Sequence, residues 1–289
     1  MRFTGFARIN LPPHEEKAFD DFLLGCAEAE QLSSGDSGEE NRSGIGELES
    51  NAHDAYFRGF YLDGLKYYAR SLASNREKVT AWVGEVRILV DVGRFDAAVY
   101  WANRGLESFG ESRLLASSKA FALAYAGDTE AAKRLINVPV EKDETPVLWL
   151  LRGEVFLRIR INLLQKLFAP HKGIGSLGAF FCFLKALSSD PGDPFMNQRI
   201  GLAYLLANKT KRAFEHLKTS LNVVPDNPLT LYGFAECHRA QRDYERALYY
   251  VKKALAGNPH LDSAFGLLQW LHGPIRKILG GLHKKIRKG

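Results

Sequence analysis

Cysteine is scarce in this 289-residue chain, and the little there is forms no pattern. Cys26, Cys182 and Cys237 are widely spaced, odd in number and lack a C-x-x-C pair, so neither a disulfide framework nor a zinc ribbon is predicted. Long apolar runs are also missing. The longest, LGAFFCFL, is far below the roughly 18 residues of a membrane span, and none of signal-peptide length precedes Pro12. We therefore expect a soluble, cytoplasmic protein.

Motifs of catalysis and cofactor binding are missing as well. The sequence contains no G-x-x-x-x-G-K-[ST], G-x-S-x-G or H-E-x-x-H. GIGSLG, residues 173–178, matches G-x-G-x-x-G, but it follows a predicted helix instead of the strand that a dinucleotide site needs, so we expect a turn. Glu236, Cys237 and His238 are adjacent and would point about 100° apart on a helix. The sequence predicts no enzyme, no cofactor and no metal.

Acidic residues are absent from the last sixteen positions. Residues 274–289 carry six cations and no acid, which equals the +6 of the whole chain, so the rest is formally neutral. Ile275, Ile278, Leu279, Leu282 and Ile286 recur at helical spacing beside these cations. Such a basic amphipathic helix suits an anionic membrane surface or nucleic-acid phosphates, or it is the second helix of a degenerate hairpin. The six cations are Arg276, Lys277, Lys284, Lys285, Arg287 and Lys288.

The N-terminal region has the opposite charge. Six acids against Lys17 give residues 14–31 a net charge of −5, and Phe19, Phe22 and Leu23 share one helical face. We divide this region into an N-terminal segment with an acidic amphipathic helix, residues 1–31, and a flexible Gly/Ser/Glu linker, residues 32–46. The tethered helix is expected either to cap the rest of the chain or to act as a detachable segment.

The sequence does contain an internal repeat with a period of 34 residues. Ala179, Ala213 and Ala247 are each 34 residues apart, and so are Pro191, Pro225 and Pro259. Upstream, the same register places small residues at Gly64, Ala98 and Ala132. Each period predicts a helical hairpin, with small residues where two helices approach closely and proline after the hairpin's end. Stacked hairpins bury one continuous core and leave a concave groove.

These units resemble tetratricopeptide repeats. The match is best in NQRIGLAYLLANKTKRAFEHLKTSLNVVP and in LYGFAECHRAQRDYERALYYVKKALAGNP. The resemblance implies an all-α, right-handed superhelical solenoid of about six hairpins over residues 47–260. The third unit has a short second helix, and the fourth carries an insertion near 158–175, read either as a protruding arm or as two lengthened helices that pack together. Residues 261–289 would supply a capping helix and the basic C-terminal helix.

The family's usual geometry predicts which side chains face the groove, with about half of them expected to serve helix packing. The face lacks the Lys/Asn set with which some members hold a C-terminal carboxylate, and its charges balance, which disfavours RNA. The resemblance therefore implies a non-enzymatic scaffold, adaptor or chaperone-like module that binds a protein or peptide segment. The alternative is a peripheral module targeted by its basic tail. The predicted groove residues are His53, Tyr56, Phe57, Arg87, Asp91, Phe121, Tyr125, Glu154, Arg158, Gln198, Tyr232, Glu236 and Arg239.

Overall fold

A computed structural model describes residues 42–137, 145–167 and 174–273. Within these ranges the chain forms thirteen helices and no strand. The helices are α1 Arg42–Arg58, α2 Tyr61–Ser74, α3 Val79–Asp91, α4 Phe95–Phe109, α5 Arg113–Ala126, α6 Thr129–Ile136, α7 Pro146–Leu167, α8 Ile174–Ala186, α9 Pro194–Leu206, α10 Thr210–Val223, α11 Pro228–Ala240, α12 Tyr244–Gly257 and α13 Asp262–His272. No helix in the described ranges is long and apolar enough to cross a membrane.

The helices pair in sequence order into six hairpins, from α1 with α2 to α11 with α12, and α13 follows. The predicted all-α repeat solenoid is confirmed. Proline and capping side chains set where the later helices start: Pro194 and Pro228 occupy the first turn, and Asp193 and Asn227 accept hydrogen bonds from the backbone N–H groups of Met196 and Thr230.

Small residues let the two helices of a hairpin approach closely. The 34-residue repeat predicts small residues at these contacts, and four of them are fully buried: Ala98, Ala132, Ala213 and Ala247. On the first helices, a Cβ on Gly153 would lie 2.4 Å from the Phe183 ring, a distance at which neighbouring atoms overlap. The 34-residue repeat therefore follows from helix packing, because only small side chains fit where the two helices touch.

The turn within a hairpin needs a left-handed residue. Gly59, Gly93 and Gly127, each 34 residues apart, have φ of +83°, +81° and +102°. The same turn in the fifth and sixth hairpins is occupied by Asn208 at +55° and Arg242 at +63°. Glycine adopts this conformation without steric cost and asparagine tolerates it, whereas an arginine side chain is strained there. The sixth turn thus carries a local cost.

Several predicted departures are seen. Helix α6 has only 8 residues, so the short second helix of the third unit is confirmed, and α13 supplies a helix after the sixth hairpin. The insertion lengthens α7 to 22 residues, while α8 keeps an ordinary 13. The part of GIGSLG from Ile174 onward lies in α8 instead of a turn. Helix α1 begins at Arg42, inside the segment predicted as linker. The predicted acidic N-terminal helix and the basic tail fall outside the described residues.

The first helices of the six hairpins pack side by side, and α11 also contacts α1. We call the side on which α1, α3, α5, α7, α9 and α11 meet the inner face. Because the sixth hairpin touches the first, the array closes on itself. A Cβ on Gly59 would lie 3.2 Å from Leu261 and 3.4 Å from Leu229, so the turn after α1 sits directly against the C-terminal end of the array.

Candidate functional site

The predicted groove residues lie on the inner face, but most of them are not open to solvent. Tyr56, Phe57, Arg87, Asp91, Phe121, Glu154, Gln198, Tyr232 and Glu236 are buried, whereas Tyr125, Arg158 and Arg239 are partly buried and His53 is exposed. More of them are buried than the half that were expected to serve helix packing, since closure brings these side chains into contact with one another. Their role in binding a partner stays a prediction.

Four charged side chains fill the middle of the inner face. Arg199 of α9 donates from Nη1 and Nη2 to Asp91 of α3, at 2.6 and 3.2 Å, and from Nη2 to Glu154 of α7 at 3.3 Å. Arg87 of α3 places Nη2 3.0 Å from Glu154 Oε2. We call these residues the ionic quartet. All four side chains are at most 3% exposed, and their charges sum to zero.

The two arginines of the quartet keep their charges in spite of burial. Burial disfavours the charged form of Arg199, but Asp91 and Glu154 outweigh it, so the pKa of this guanidinium is raised. Arg87 behaves in the same way, with Glu154 as its main partner. The Tyr56 hydroxyl donates to Asp91 Oδ2 at 2.9 Å, and burial raises its pKa, so it remains a proton donor. Charge pairs thus join helices that are far apart in sequence.

A neutral polar joint closes the array. The backbone carbonyl of Phe57, at the end of α1, accepts from Gln198 Nε2 at 2.8 Å and from Asn227 Nδ2 at 3.1 Å. Gln198 also donates to Thr230 Oγ1 at 2.7 Å, and Gln198, Asn227 and Thr230 are fully buried. A carbonyl in the last turn of a helix has no partner within that helix, so side chains from α9 and from the start of α11 satisfy it.

The remaining predicted residues form two further groups of contacts. Tyr232 donates to Glu236 at 3.4 Å, and Arg239 Nε donates to Glu236 at 2.6 Å while its guanidinium lies 5.4 Å from the Trp270 ring of α13. Burial raises the pKa of Glu236 although Arg239 opposes the shift. In the middle of the array, Phe121 packs on Tyr125 and Arg158 lies 4.8 Å from the Tyr125 ring centroid. The first group joins α11 to α13, and the second joins α5 to α7.

Beside the quartet the inner face opens into a cleft of about 210 Å³. Tyr56, Val83, Gly84, Arg87 and Phe195 are buried and form its floor. Exposed or partly buried residues of α1, α3, α5 and α7 and of the loop before α7 form its rim. The lining residues are His53, Tyr56, Tyr68, Thr80, Val83, Gly84, Arg87, Leu114, Thr145, Val147 and Phe195. His53, Tyr56 and Arg87 are the predicted groove residues that line this cleft.

Reasoning from the sequence missed several residues of this site. Arg199 completes the quartet, and Phe195 contacts the rings of His53, Tyr56 and Phe57 at centroid distances of 4.4 to 6.1 Å. Asn227 joins the ends of the array. No local sequence signal points to Arg199, because Asp91 lies 108 residues away and the two side chains meet only when the array is folded.

Helical hairpins stacked at a 34-residue period define a helical-repeat solenoid. A family model described as "Tetratricopeptide repeat" matches residues 50–112 and 199–262, which cover the first two and the last two hairpins. The chain is a tetratricopeptide repeat protein. A comparison with curated proteins finds no match.

Solved structures with a similar fold share little sequence with this chain. TTC0263 of Thermus thermophilus, a thermophilic TPR protein, is 16% identical, with 79% of this chain and 100% of that chain covered and a TM-score of 0.44. YrrB, described as a TPR protein with an unusual peptide-binding site, is 16% identical over 69% and 96% of the two chains, with a TM-score of 0.35. A tetratricopeptide repeat protein from Parabacteroides merdae is 16% identical over 79% and 99%, with a TM-score of 0.32.

Proposed function

We propose that this chain is a non-enzymatic interaction scaffold that binds a segment of a partner protein at the inner-face cleft. The observation that carries the proposal is the cleft itself, since it is an apolar, aromatic-lined space on a face where most of the predicted groove residues are buried. Partner anchors bind in such spaces because burying a large side chain in a preformed, rigid site releases water at little entropic cost. The tetratricopeptide repeat supports the same class of function.

The charge of the inner face favours a protein segment over nucleic acid. The ionic quartet sums to zero and Arg239 pairs with Glu236, which leaves Arg158, beside the Tyr125 ring, as a single cation with no acid in the contacts described above. A phosphate backbone needs several uncompensated Lys or Arg side chains. The alternative, targeting by Arg276, Lys277 and the other basic residues of the tail, concerns positions outside the described residues and stays a prediction.

The experiment is a selection of peptides from a random display library on the full chain, followed by affinity measurement with fluorescein-labelled peptides. The test variant is Val147→Trp, which puts a large ring on the cleft wall. The matched control is Leu184→Trp, on an exposed site of α8 outside the cleft. We expect Val147→Trp to weaken the selected peptides about tenfold or more, and Leu184→Trp to leave them unchanged. Peptides that bind both variants as they bind the native chain would refute the proposal.

A further inference from the structure

Helix α8, the second helix of the fourth hairpin, carries a cluster of exposed apolar side chains. Phe180, Phe181 and Leu184 are 43%, 52% and 53% exposed, and we call these three residues the α8 patch. They share one side of the helix, because Leu184 follows the two phenylalanines at spacings of four and three residues. Trp149 of α7 extends the cluster, with its ring centroid 5.9 Å from that of Phe181. A contiguous exposed apolar patch of this kind marks an interaction site.

The internal repeat shows that hairpin packing does not require an apolar residue at Leu184. Moving from Leu184 by one and two periods of 34 residues leads to Lys218 of α10 and Lys252 of α12. Both lysines are exposed, and both helices pack in their hairpins with a charged side chain at this position. Leu184 is therefore an exposed leucine where the fold accepts lysine, and its apolar side chain serves something other than the hairpin.

Cations border the α8 patch. The Arg212 guanidinium of α10 lies 5.3 Å from the Phe180 ring centroid, and Lys185 Nζ lies 5.8 Å from that of Phe181. Neither cation forms an ion pair within the described residues. Helices α8 and α10 together carry four basic side chains against Glu215 alone, which is a net charge of +3. The patch therefore suits a segment that is both apolar and acidic.

The chain itself contains such a segment, outside the described residues. Residues 14–31 carry a net charge of −5, and their apolar side chains Phe19, Phe22 and Leu23 fall on one predicted helical face. The whole of residues 1–41 has three basic and nine acidic residues, a net −6, whereas residues 42–273 have 30 basic and 24 acidic residues, a net +6. The two parts of the chain therefore attract each other.

Closure of the array brings the first hairpin beside the hairpins that carry the patch. The Phe57 carbonyl, near the end of α1, contacts Gln198 of α9, and α9 pairs with α10 in the fifth hairpin. Helix α1 rises about 23 Å from Arg42 to Phe57, and the ten residues 32–41 span up to about 33 Å when extended. The linker is therefore long enough to return the acidic segment to this level. Such a tether gives a high effective concentration, so weak contacts are enough to hold the segment.

We propose that the acidic N-terminal segment, residues 14–31, docks on the α8 patch of the same molecule. Its three apolar side chains cover the exposed phenylalanines and leucine, and its carboxylates lie near Lys185 and Arg212. The patch is thus an intramolecular docking site that a partner has to compete for. The inference does not depend on the inner-face cleft, because the patch and the cleft share no residue, so either proposal can fail without the other.

A spin label on Cys26 tests where the segment lies in the full chain. Cys182 and Cys237 are buried, and burial raises the pKa of the Cys182 thiol to about 11 and that of the Cys237 thiol to about 12, so neither reacts readily. Methyl NMR spectra are compared with the label active and reduced, and the Cys26→Ser chain is treated in the same way as a control. We expect the greatest broadening at the Leu184 methyl groups, and less of it in about 1 M salt, where the Debye length is about 3 Å.

Two matched variants test the apolar contact. Phe22→Ser removes a ring from the predicted apolar face, whereas Phe6→Ser removes one outside residues 14–31. We expect Phe22→Ser to weaken docking about tenfold or more, and so to reduce the broadening at Leu184, while Phe6→Ser leaves it unchanged. A mixture of spin-labelled chain with isotope-labelled Cys26→Ser chain is expected to show no broadening, because docking is within one molecule.

Each of the other outcomes would overturn the inference. Greatest broadening at Val83 would place the segment in the cleft, and greatest broadening at Leu268 of α13 would make it a cap at the end of the array. Broadening in the mixed sample would assign the patch to a second copy of the chain. No broadening at Leu184, or equal broadening in Phe22→Ser and the native chain, would show that the segment does not dock there.

Discussion

Replacing Arg199 by methionine tests whether the inner face is held together as the structure shows. Arg199 is the only side chain of the quartet that contacts both carboxylates, and it is 3% exposed. Arg199→Met keeps much of the apolar stem but leaves Asp91 and Glu154 with Arg87 alone, so one buried negative charge is uncompensated. Breaking a buried pair in this way costs about 3 to 5 kcal/mol. That is a large part of the roughly 5 to 15 kcal/mol by which folded domains are stable.

The assay is urea unfolding at pH 7 followed by far-UV circular dichroism. The matched control is Arg58→Met, which removes an ion pair of similar length, 3.1 Å to Asp54, whose side chains are 35% and 63% exposed. That exposed pair is worth about 0.2 to 1 kcal/mol. Adding Asp91→Asn to Arg199→Met removes the uncompensated charge, so the double variant is expected to be more stable than Arg199→Met alone. If Arg199→Met costs no more than Arg58→Met, the buried quartet does not exist in solution.

Three further predictions concern other parts of the array. His238 is buried against Phe234 and Tyr250, and burial, only partly offset by Asp243, lowers its pKa. The unfolded chain then binds a proton that the folded chain excludes, so the protein loses stability as pH falls below about 6.5. His238→Phe should therefore show a smaller drop in the urea midpoint between pH 7.5 and pH 5.5 than the native chain. An equal drop would contradict the lowered pKa of His238. Arg242→Gly should raise the free energy of unfolding by about 1 kcal/mol by relieving the left-handed turn, with Asn208→Gly as a control that gains less. Asn227→Asp keeps the cap of α11 but removes the N–H donor to the Phe57 carbonyl. Amide hydrogen exchange at the end of α1 should therefore speed up, while the first turn of α11 stays protected. Unchanged exchange in α1 would refute the bond between Asn227 and Phe57.

The hairpins could be predicted from the sequence because their causes are local. A small residue every 34 positions marks where two helices touch, and both partners lie in the same unit. A proline and the capping residue before it likewise predict the start of α9 and of α11 from two neighbouring positions. The early end of α6 could also be predicted, because the helix is followed by a stretch that contains two prolines.

Closure of the array could not be predicted in this way. The bonds from Phe57 to Gln198 and Asn227 span 141 and 170 residues, and the bonds of Arg199 to Asp91 span 108. Whether such residues meet depends on the small rotation between successive hairpins, summed over the whole array. The 34-residue period does not fix that rotation, because it specifies packing within a unit and between neighbours. Packing of about half of the predicted groove residues between helices was therefore expected, whereas the burial of most of them by closure was not.

Closure also determines what kind of partner the inner face can accept. A segment lying along the whole face would have to displace the bonds of the ionic quartet and the joint at Phe57, which are buried and mutually paired. Binding that required this opening would be weakened by the small fraction of molecules in the open state. The cleft needs no such opening, because its rim is already exposed at His53, Thr80 and Thr145. Under the proposed function, the quartet would thus confine recognition of a partner to the cleft.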